Sequence, residues 1–578
     1  MNRSDSHISV LDLRRARAAV AAAAAAAFGV CLFARGWPRD DRWLILENPL
    51  LRAGWPAASR LLLSGYVQPV MGAETPIHEW RPLLSLTFLL QRAATGFAPF
   101  PLHAVNLALH VGVCLLVLEA LRRRLTPRAA VAGALVFAVL PVHGEVVAYL
   151  TSRSELLAAL SVLGAWLLVG APEKPSPRRV AAGAAVYLAG ALSKEHVLLF
   201  PLFLALADWT FAGRLPWEPE RRRVHLALGL SAAVALAGRA LVLPMLAGGG
   251  IPYFAGTPLA SRLLTLARFW IRSYARPLVL GVGLCADFAR PLIPDARLDD
   301  PVAWASLLAV AGLLAAAARA LVRRRAWGFW LLGPCVFLLP TSHLLMNLDT
   351  LGAQRFLYLP SLGWAAGAGA LFAWAESRRA GAARAALAAV LLGLGVRAAA
   401  RASDWRDDIS YYESAVACNP VSKKARSGLG VAYLRAGRPA DGERELHAAL
   451  DLDPGFYDAG ENLARISYER GDWARARALL DRARAGRPDA TDGLTLEALL
   501  DEHDGRLADA AAALSRAVAV NPDDPIARFD FARVLALLAR PGEAAVQLRA
   551  YLSLEPDAPE KAAARRWLSE LSPSEAPK

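Results

Sequence analysis

The stretch "AYLRAGRPADGERELHAALDLDP", Ala432–Pro454, reads as two short helices on either side of Gly437, closed by Pro454. The stretch "SYERGDWARARALLDRARAGRP", Ser467–Pro488, repeats the plan around Gly471. Pro420, Pro454, Pro488, Pro522 and Pro556 stand 34 residues apart, and Gly437, Gly471 and Gly505 keep the same period. Small residues recur where paired helices would cross: Gly430, Ala464, Ala498 and Ala532 on the first helix, Ala449, Ala483 and Ala517 on the second.

A helix–turn–helix unit of this period with a closing proline is the tetratricopeptide signature. Four repeats are expected at 423–456, 457–490, 491–524 and 525–558. A lead-in half-repeat, "WRDDISYYESAVACNP", belongs to 401–422, and a capping helix with a tail to 559–578. Such units stack into an α-solenoid whose concave face binds extended peptides or protein surfaces. They rarely carry chemistry, which directs the search towards the rest of the chain.

That remainder is apolar. The 578-residue chain is 55% hydrophobic, with a mean hydropathy of +0.32. Residues 17 to 400 carry repeated apolar runs of about 17–23 residues, long enough to cross a bilayer as helices. Eleven spans are expected, the first retained rather than cleaved as a signal peptide. They lie near 18–34, 101–121, 129–149, 154–171, 180–193, 196–212, 225–246, 302–321, 327–345, 356–376 and 381–400. The net charge of +14 is not a nucleic-acid signature. Its arginines cluster in short tracts between apolar runs, at Arg122–Arg124, Arg178–Arg179, Arg221–Arg223, Arg323–Arg325 and Arg378–Arg379, as cytoplasmic loops do under the positive-inside rule. With the N-terminus in the cytoplasm, the repeats fall outside it. The stretch "SRLLTLARFWIRSYARPLVLGVGLCADFARP", Ser261–Pro291, holds four arginines before Asp287 and reads as an interfacial or re-entrant segment on the outer face. The fold expected is all-α: a polytopic membrane domain at 1–400 and the solenoid.

Ionisable groups at membrane depth default to a functional reading. Here they gather at the expected outer helix ends: Glu145, Arg153 and Glu155; Lys194 and Glu195; Asp287; Arg355. Asp40 and Asp41 lie on the same side, just past the first span. One such group is explained by snorkelling at a wet helix end; several on one side point to a shared polar site. Arginine and lysine suit a phosphate, and carboxylates suit a general base. His103 and His110, seven residues apart on one helix with Asn106 between, are expected to make interhelical hydrogen bonds. The five cysteines have no metal-ligand spacing, and neither a disulfide framework nor a metal site is expected.

The segments "RDDRWLILENP", "WRPLLSLTFLL", "PLHAVNLALHVGVCLLV", "FAVLPVHGEVVAYLTSRSELLA", "ALSKEHVLLFPL" and "QRFLYLPSLGW", followed by the repeats, resemble the transmembrane and tetratricopeptide-repeat-containing O-mannosyltransferases. The resemblance runs in order along almost the whole chain. It implies a GT-C membrane fold and an inverting glycosyltransferase. The sugar, mannose in this family, would pass from a polyprenyl phosphate to serine or threonine hydroxyls on the extracytoplasmic side. The family's paired acids fall on Asp40 and Asp41, the first implied as catalytic base. Its Arg/Glu segment falls on Arg153 and Glu155, and its Ser-Lys-Glu on Ser193, Lys194 and Glu195. Family members read Glu-Arg before "LYLPS"; this chain has Gln354-Arg355 and lacks that accessory carboxylate.

The resulting expectation is a base at Asp40 or Asp41. Arg355, Lys194 and Arg153 would hold the lipid phosphate, with Glu145, Glu155, Glu195 and Asp287 lining the site. No cofactor beyond the donor is expected. The partners are the lipid-linked sugar, an acceptor protein in the repeat groove and membrane lipid. The alanine- and arginine-rich composition suggests a bacterial inner membrane, with the repeats on its extracytoplasmic side. Two rivals keep the domain plan: a GT-C enzyme acting on an envelope glycan or lipid, and a non-enzymatic scaffold.

Overall fold

The computed structural model describes all residues except 1–9, 39, 68–69, 71–78, 171–174, 244–252, 289–293, 346–347, 349, 555–560 and 572–578. The described residues form helices joined by turns and loops, with no strand among them. Contacts divide the chain into two units. One comprises Met1–Pro38, Ala98–Leu241 and Gly250–Asn419; the other comprises Arg39–Phe97, Val242–Gly249 and Pro420–Lys578. The division differs from the expected boundary near residue 400. Residues 39–97, placed with the membrane helices on the sequence, cluster with the repeats.

In the first unit, helix falls within each expected span, but not over the full length of all of them, and fewer than eleven qualify as spans. Among the described residues, seven helices are long and apolar enough to cross a membrane: Asp12–Phe33, Pro99–Arg122, Leu150–Val169, Glu195–Ala212, Pro219–Val242, Pro301–Val322 and Ala380–Ser403. Pro127–Ala138 with Pro141–Ala148 is a broken pair bent by 48°. Pro177–Ala191, Ala326–Thr341 and Ser361–Glu376 are shorter. Proline opens many of these helices, where a missing N–H costs nothing, and Thr126, Ser176 and Asp300 cap the helices they precede. The segment read as interfacial is helical over Leu259–Phe269, continues through a π-turn at Trp270–Ala275, and ends after Leu280 at Gly281, which has positive φ. It does not qualify as a span.

Close backbone packing sets part of this unit. A Cβ at Gly369 would lie 2.1 Å from the Ala129 carbonyl, and one at Gly133 would lie 2.6 Å from the Ala365 carbonyl. Helices Pro127–Ala138 and Ser361–Glu376 therefore meet through glycine, as membrane helices do when small residues face each other. The arginine tracts have a structural task as well as a topological one. Arg123 and Arg179 donate to the Leu167 carbonyl, Arg221 to Val169 and Arg124 to Gly170. Four guanidiniums thus crown the C-terminus of Arg153–Val169, meeting both its orphan carbonyls and its negative dipole end.

One expectation fails here. Cys285 and Cys418 form a disulfide across 133 residues of sequence. Spacing could not reveal it, because the partners lie in different expected segments and meet only when the chain folds.

In the second unit, helix pairs fall on the four repeats: Lys423–Arg435 with Pro439–Leu452, Tyr457–Glu469 with Trp473–Arg484, Thr491–His503 with Leu507–Val520, and Pro525–Leu537 with Pro541–Leu554. Gly437, Gly471 and Gly505 have φ of +72°, +77° and +77°, which explains their period: each turns the chain in a left-handed conformation. Lys561–Leu571 packs on the last repeat. Residues of the 39–97 segment attach to the same unit. Arg60 pairs with Asp523, and Asn521 donates to the Val70 carbonyl at 3.1 Å.

Candidate functional site

The acidic loop lies in the second unit. Asp40 accepts a helical bond from the Leu44 amide at 2.8 Å. A π-turn over Arg42–Leu46 follows, a rare winding that tends to occur at functional sites. Asn48 then caps Pro49–Ala53 through the Leu50 and Leu51 amides. Asp41 is fully buried. Arg81, itself buried, pairs with Glu79 at 2.9 Å.

The remaining candidates lie in the first unit, and most are paired. Glu145 sits in the short helix Gly144–Ala148, placed by the break at Pro141. Its carboxylate accepts from the Arg355 amide at 3.1 Å and pairs with the Arg355 guanidinium at 2.5 Å. Glu155 faces Lys194 at 3.4 Å and His196 at 3.7 Å. Glu195 meets Arg239 at 3.5 Å. Tyr358 follows Arg355 by one turn and lies within electrostatic range of Glu155. Tyr274, from the broken outer segment, reaches the vicinity of Glu145 and Arg355, and burial pushes its phenol up. Asp287 accepts from Asn419 at 3.4 Å, beside the disulfide.

Arg153 is held differently. It donates to Asn106 at 2.8 Å and to the Leu102 carbonyl at 3.1 Å. It is fully buried and orders helix Pro99–Arg122 against its own helix. The histidine expectation divides. His110 bonds the Tyr358 hydroxyl at 2.7 Å, whereas both ring nitrogens of buried His103 lack a hydrogen-bond partner among the described residues. Asn106, between them, takes the interhelical role instead, with Val147 and Tyr149 carbonyls as acceptors.

Sequence reasoning missed Arg401. It is 1% exposed and donates to Asp404 at 2.7 Å, Ser414 at 3.3 Å and Gln354 at 3.3 Å. Gln354 thus occupies the missing accessory carboxylate's place as a neutral acceptor for a buried guanidinium. Arg401 ends an apolar run, where arginines normally snorkel, so nothing in the sequence sets it apart. His143, also buried, bonds Ser361 at 2.9 Å. No group of three or more His, Cys, Asp or Glu side chains able to hold a metal occurs among the described residues. Chemically, the first unit offers guanidinium and ammonium groups with carboxylate counter-ions, able to exchange those partners for an anionic ligand.

Comparison with known proteins follows the same division. Tetratricopeptide repeat profiles match residues 433–500, and 394–455 with 496–559. The chain is 27% identical over 532 residues to Protein O-mannosyl-transferase Tmtc1 of Drosophila melanogaster, covering 74% of this chain and 60% of the relative. It is 26% identical over 466 residues to Protein O-mannosyl-transferase TMTC4 of Homo sapiens, covering 69% and 62%. A shorter match, 37% over 130 residues, covers 22% of the chain and 15% of human Protein O-mannosyl-transferase TMTC1. The chain therefore spans less than two-thirds of the curated relatives it matches. Among solved structures, MamA is 21% identical with a TM-score of 0.22, covering 27% of this chain and 88% of its own; a score this low carries no argument.

Proposed function

We propose that this chain, which groups with the TMTC-like proteins that join apolar helices to tetratricopeptide repeats, is a membrane glycosyltransferase. It would move a hexose, mannose by its relatives' names, from a polyprenyl phosphate to serine or threonine hydroxyls of extracytoplasmic proteins. The observation that carries this reading is the pairing of Arg355 with Glu145 and of Lys194 with Glu155, at helix ends expected on one side of the membrane. Two cations already poised on carboxylates suit a doubly charged leaving phosphate, which they bind by exchanging partners.

In the proposed reaction, Asp40 or Asp41 takes the proton from the acceptor hydroxyl. The hydroxyl oxygen forms the new bond to the anomeric carbon. The anomeric carbon–phosphate oxygen bond breaks, and the polyprenyl phosphate leaves with the electron pair, inverting the centre. Arg355, helped by Lys194, stabilises the charge that develops on that oxygen; one such donor is worth about 10²–10³ in rate. Arg153 orders the helix that carries Asn106 and supports the site from behind. Glu155, Glu195 and Asp287 line it. The repeats present the acceptor through their concave face.

Two features support an extracytoplasmic site, which we place in a bacterial inner membrane. The Cys285–Cys418 disulfide lies immediately before the first repeat, and disulfides persist in oxidising compartments such as the periplasm. The crown of Arg123, Arg124, Arg179 and Arg221 marks the opposite, positive-inside end of Arg153–Val169.

The test compares glycopeptides from envelope proteins of cells carrying wild-type chain, Asp40→Asn or Asp41→Asn at matched expression. Loss of hexose on serine or threonine in either variant is the expected outcome. Unchanged glycopeptides in both would overturn the protein-acceptor reading, and lipid and glycan analysis of the same cells would then separate the envelope-glycan rival from a scaffold.

A further inference from the structure

Beside the acidic pair, within the same unit, stands a residue with no assigned role. Tyr66 is 5% exposed, yet its hydroxyl has no hydrogen-bond partner among the described residues. The rest of the residue is fixed. Its backbone N–H donates to the Glu79 carbonyl at 2.5 Å. The Arg81 guanidinium lies 5.9 Å from its ring centroid, and Arg81 is tied to Glu79 at 2.9 Å. The charges that act on the phenol are Arg81, Asp41, Glu79 and Asp40. The backbone bond and the Arg81 cation thus hold the ring in place, and both aspartates act electrostatically on its buried phenol.

A buried hydroxyl without a partner costs free energy comparable to a lost hydrogen bond. Native chains keep few such groups, and each calls for an explanation. Packing does not supply one here, since phenylalanine would fill the same volume at no such cost. A ligand does. Burial, with the neighbouring carboxylates, pushes the phenol well above its ordinary value, so it stays protonated and acts as a neutral donor. A neutral donor beside carboxylates suits an uncharged polar group rather than a phosphate, which the carboxylates would repel.

We propose that Tyr66 is a substrate-contacting residue whose hydroxyl bonds a substrate hydroxyl brought to the Asp40–Asp41 loop, with Arg81 positioning the ring. The proposal rests on the glycosyltransferase reading above. Two sources share this chemistry: a hydroxyl of the transferred hexose and the acceptor serine or threonine itself. Sites built to bond a substrate hydroxyl lose discrimination and rate when one partner is removed.

The experiment uses full-length protein in detergent, with polyprenyl-phosphate mannose and a serine/threonine-rich peptide as probes. Initial rates are measured against each probe for wild-type, Tyr66→Phe and Asp41→Asn, alongside melting temperatures. Tyr66→Phe is expected to lower kcat/KM about ten-fold with no fall in melting temperature. A rise in KM for the lipid donor assigns the bond to the hexose, and a rise in KM for the peptide assigns it to the acceptor. Arg81→Lys, which keeps the charge but not the planar fork, should reproduce part of the effect. If Tyr66→Phe turns over at the wild-type rate while Asp41→Asn is inactive, the Tyr66 proposal falls and the functional reading stands. If Tyr66→Phe loses stability, the hydroxyl is bonded within the protein and the proposal also falls. If Asp40→Asn and Asp41→Asn both remain active, the reading beneath the proposal is the part that fails.

Discussion

In the membrane unit, Arg153, Arg221 and Arg401 are 0–1% exposed, and each guanidinium is held by side chains and carbonyls of other helices or turns. In the repeat unit, the side chains of Arg470 and Arg516 are 55% and 52% exposed, the first bonded to Glu443 on a neighbouring helix and the second to Asp489 in a turn. The same residue type therefore does different work. A desolvated charge costs several kcal/mol unless its partners are in place, so each of these buried guanidiniums is met by specific acceptors. An exposed pair is solvated with or without its partner, so the repeats can carry many at little consequence. Charge in the first unit reads as site; charge in the second reads mostly as surface.

The contrast is sharpest at Arg355. Replacing it with glutamine removes the proposed phosphate clamp and strands Glu145, whose side chain is 2% exposed. We expect transfer to fall at least about 10²-fold and stability to drop by about 3–5 kcal/mol. The double variant Glu145→Gln/Arg355→Gln removes both charges. It should recover most of the melting temperature and none of the activity. Recovery of activity in the double variant would make the pair structural and break the distinction between the units.

Much of this was legible beforehand. The 34-residue period located all eight repeat helices, because the turn glycines must be left-handed and the crossing residues must be small. Hydropathy located the membrane helices for an equally local reason. Pairings between distant segments were not legible. Glu145 with Arg355, Arg401 with Gln354, and Cys285 with Cys418 join residues between 47 and 210 positions apart. No local rule connects such positions. The charged motifs at the outer helix ends were nevertheless visible as anomalies, since carboxylates at membrane depth need a reason. Tyr66 was invisible, because a tyrosine in a loop is ordinary until its hydroxyl is seen to be buried and unbonded.

A smaller effect tests the edge of the contrast within the repeats. Asp524 caps Pro525–Leu537 through the Ile526 and Ala527 amides. Burial raises its carboxyl from 3.8 to about 6; Asp492 and Asp530 push the same way, and the capping bonds pull back. A folded pKa above the unfolded one means that the folded state binds the proton more tightly. The associated stability is fully present below the unfolded value and is lost as pH rises through about 6. The melting temperature of the repeats should therefore fall between pH 4 and pH 7 by a component that Asp524→Asn abolishes, since asparagine caps equally well without titrating. An Asp524→Asn protein with the wild-type pH profile would place this carboxylate with the solvated charges.

The smallest effect is expected at Glu443, which bonds Arg470 across neighbouring repeats. The bond holds the Glu443 carboxyl below its ordinary value, as the Arg470 hydrogen bond would require. With the arginine side chain 55% exposed, water replaces the lost partner when the pair is broken. Glu443→Gln should change stability by less than about 0.5 kcal/mol. Raising the salt concentration should shrink even that difference, because an exposed pair is screened within a Debye length. The same salt series applied to Glu145→Gln should leave its larger deficit nearly unchanged, since ions do not reach a carboxylate with a side chain 2% exposed. A salt-sensitive loss at Glu145, or a salt-insensitive loss of several kcal/mol at Glu443, would show that burial is not what separates the two kinds of charge in this chain.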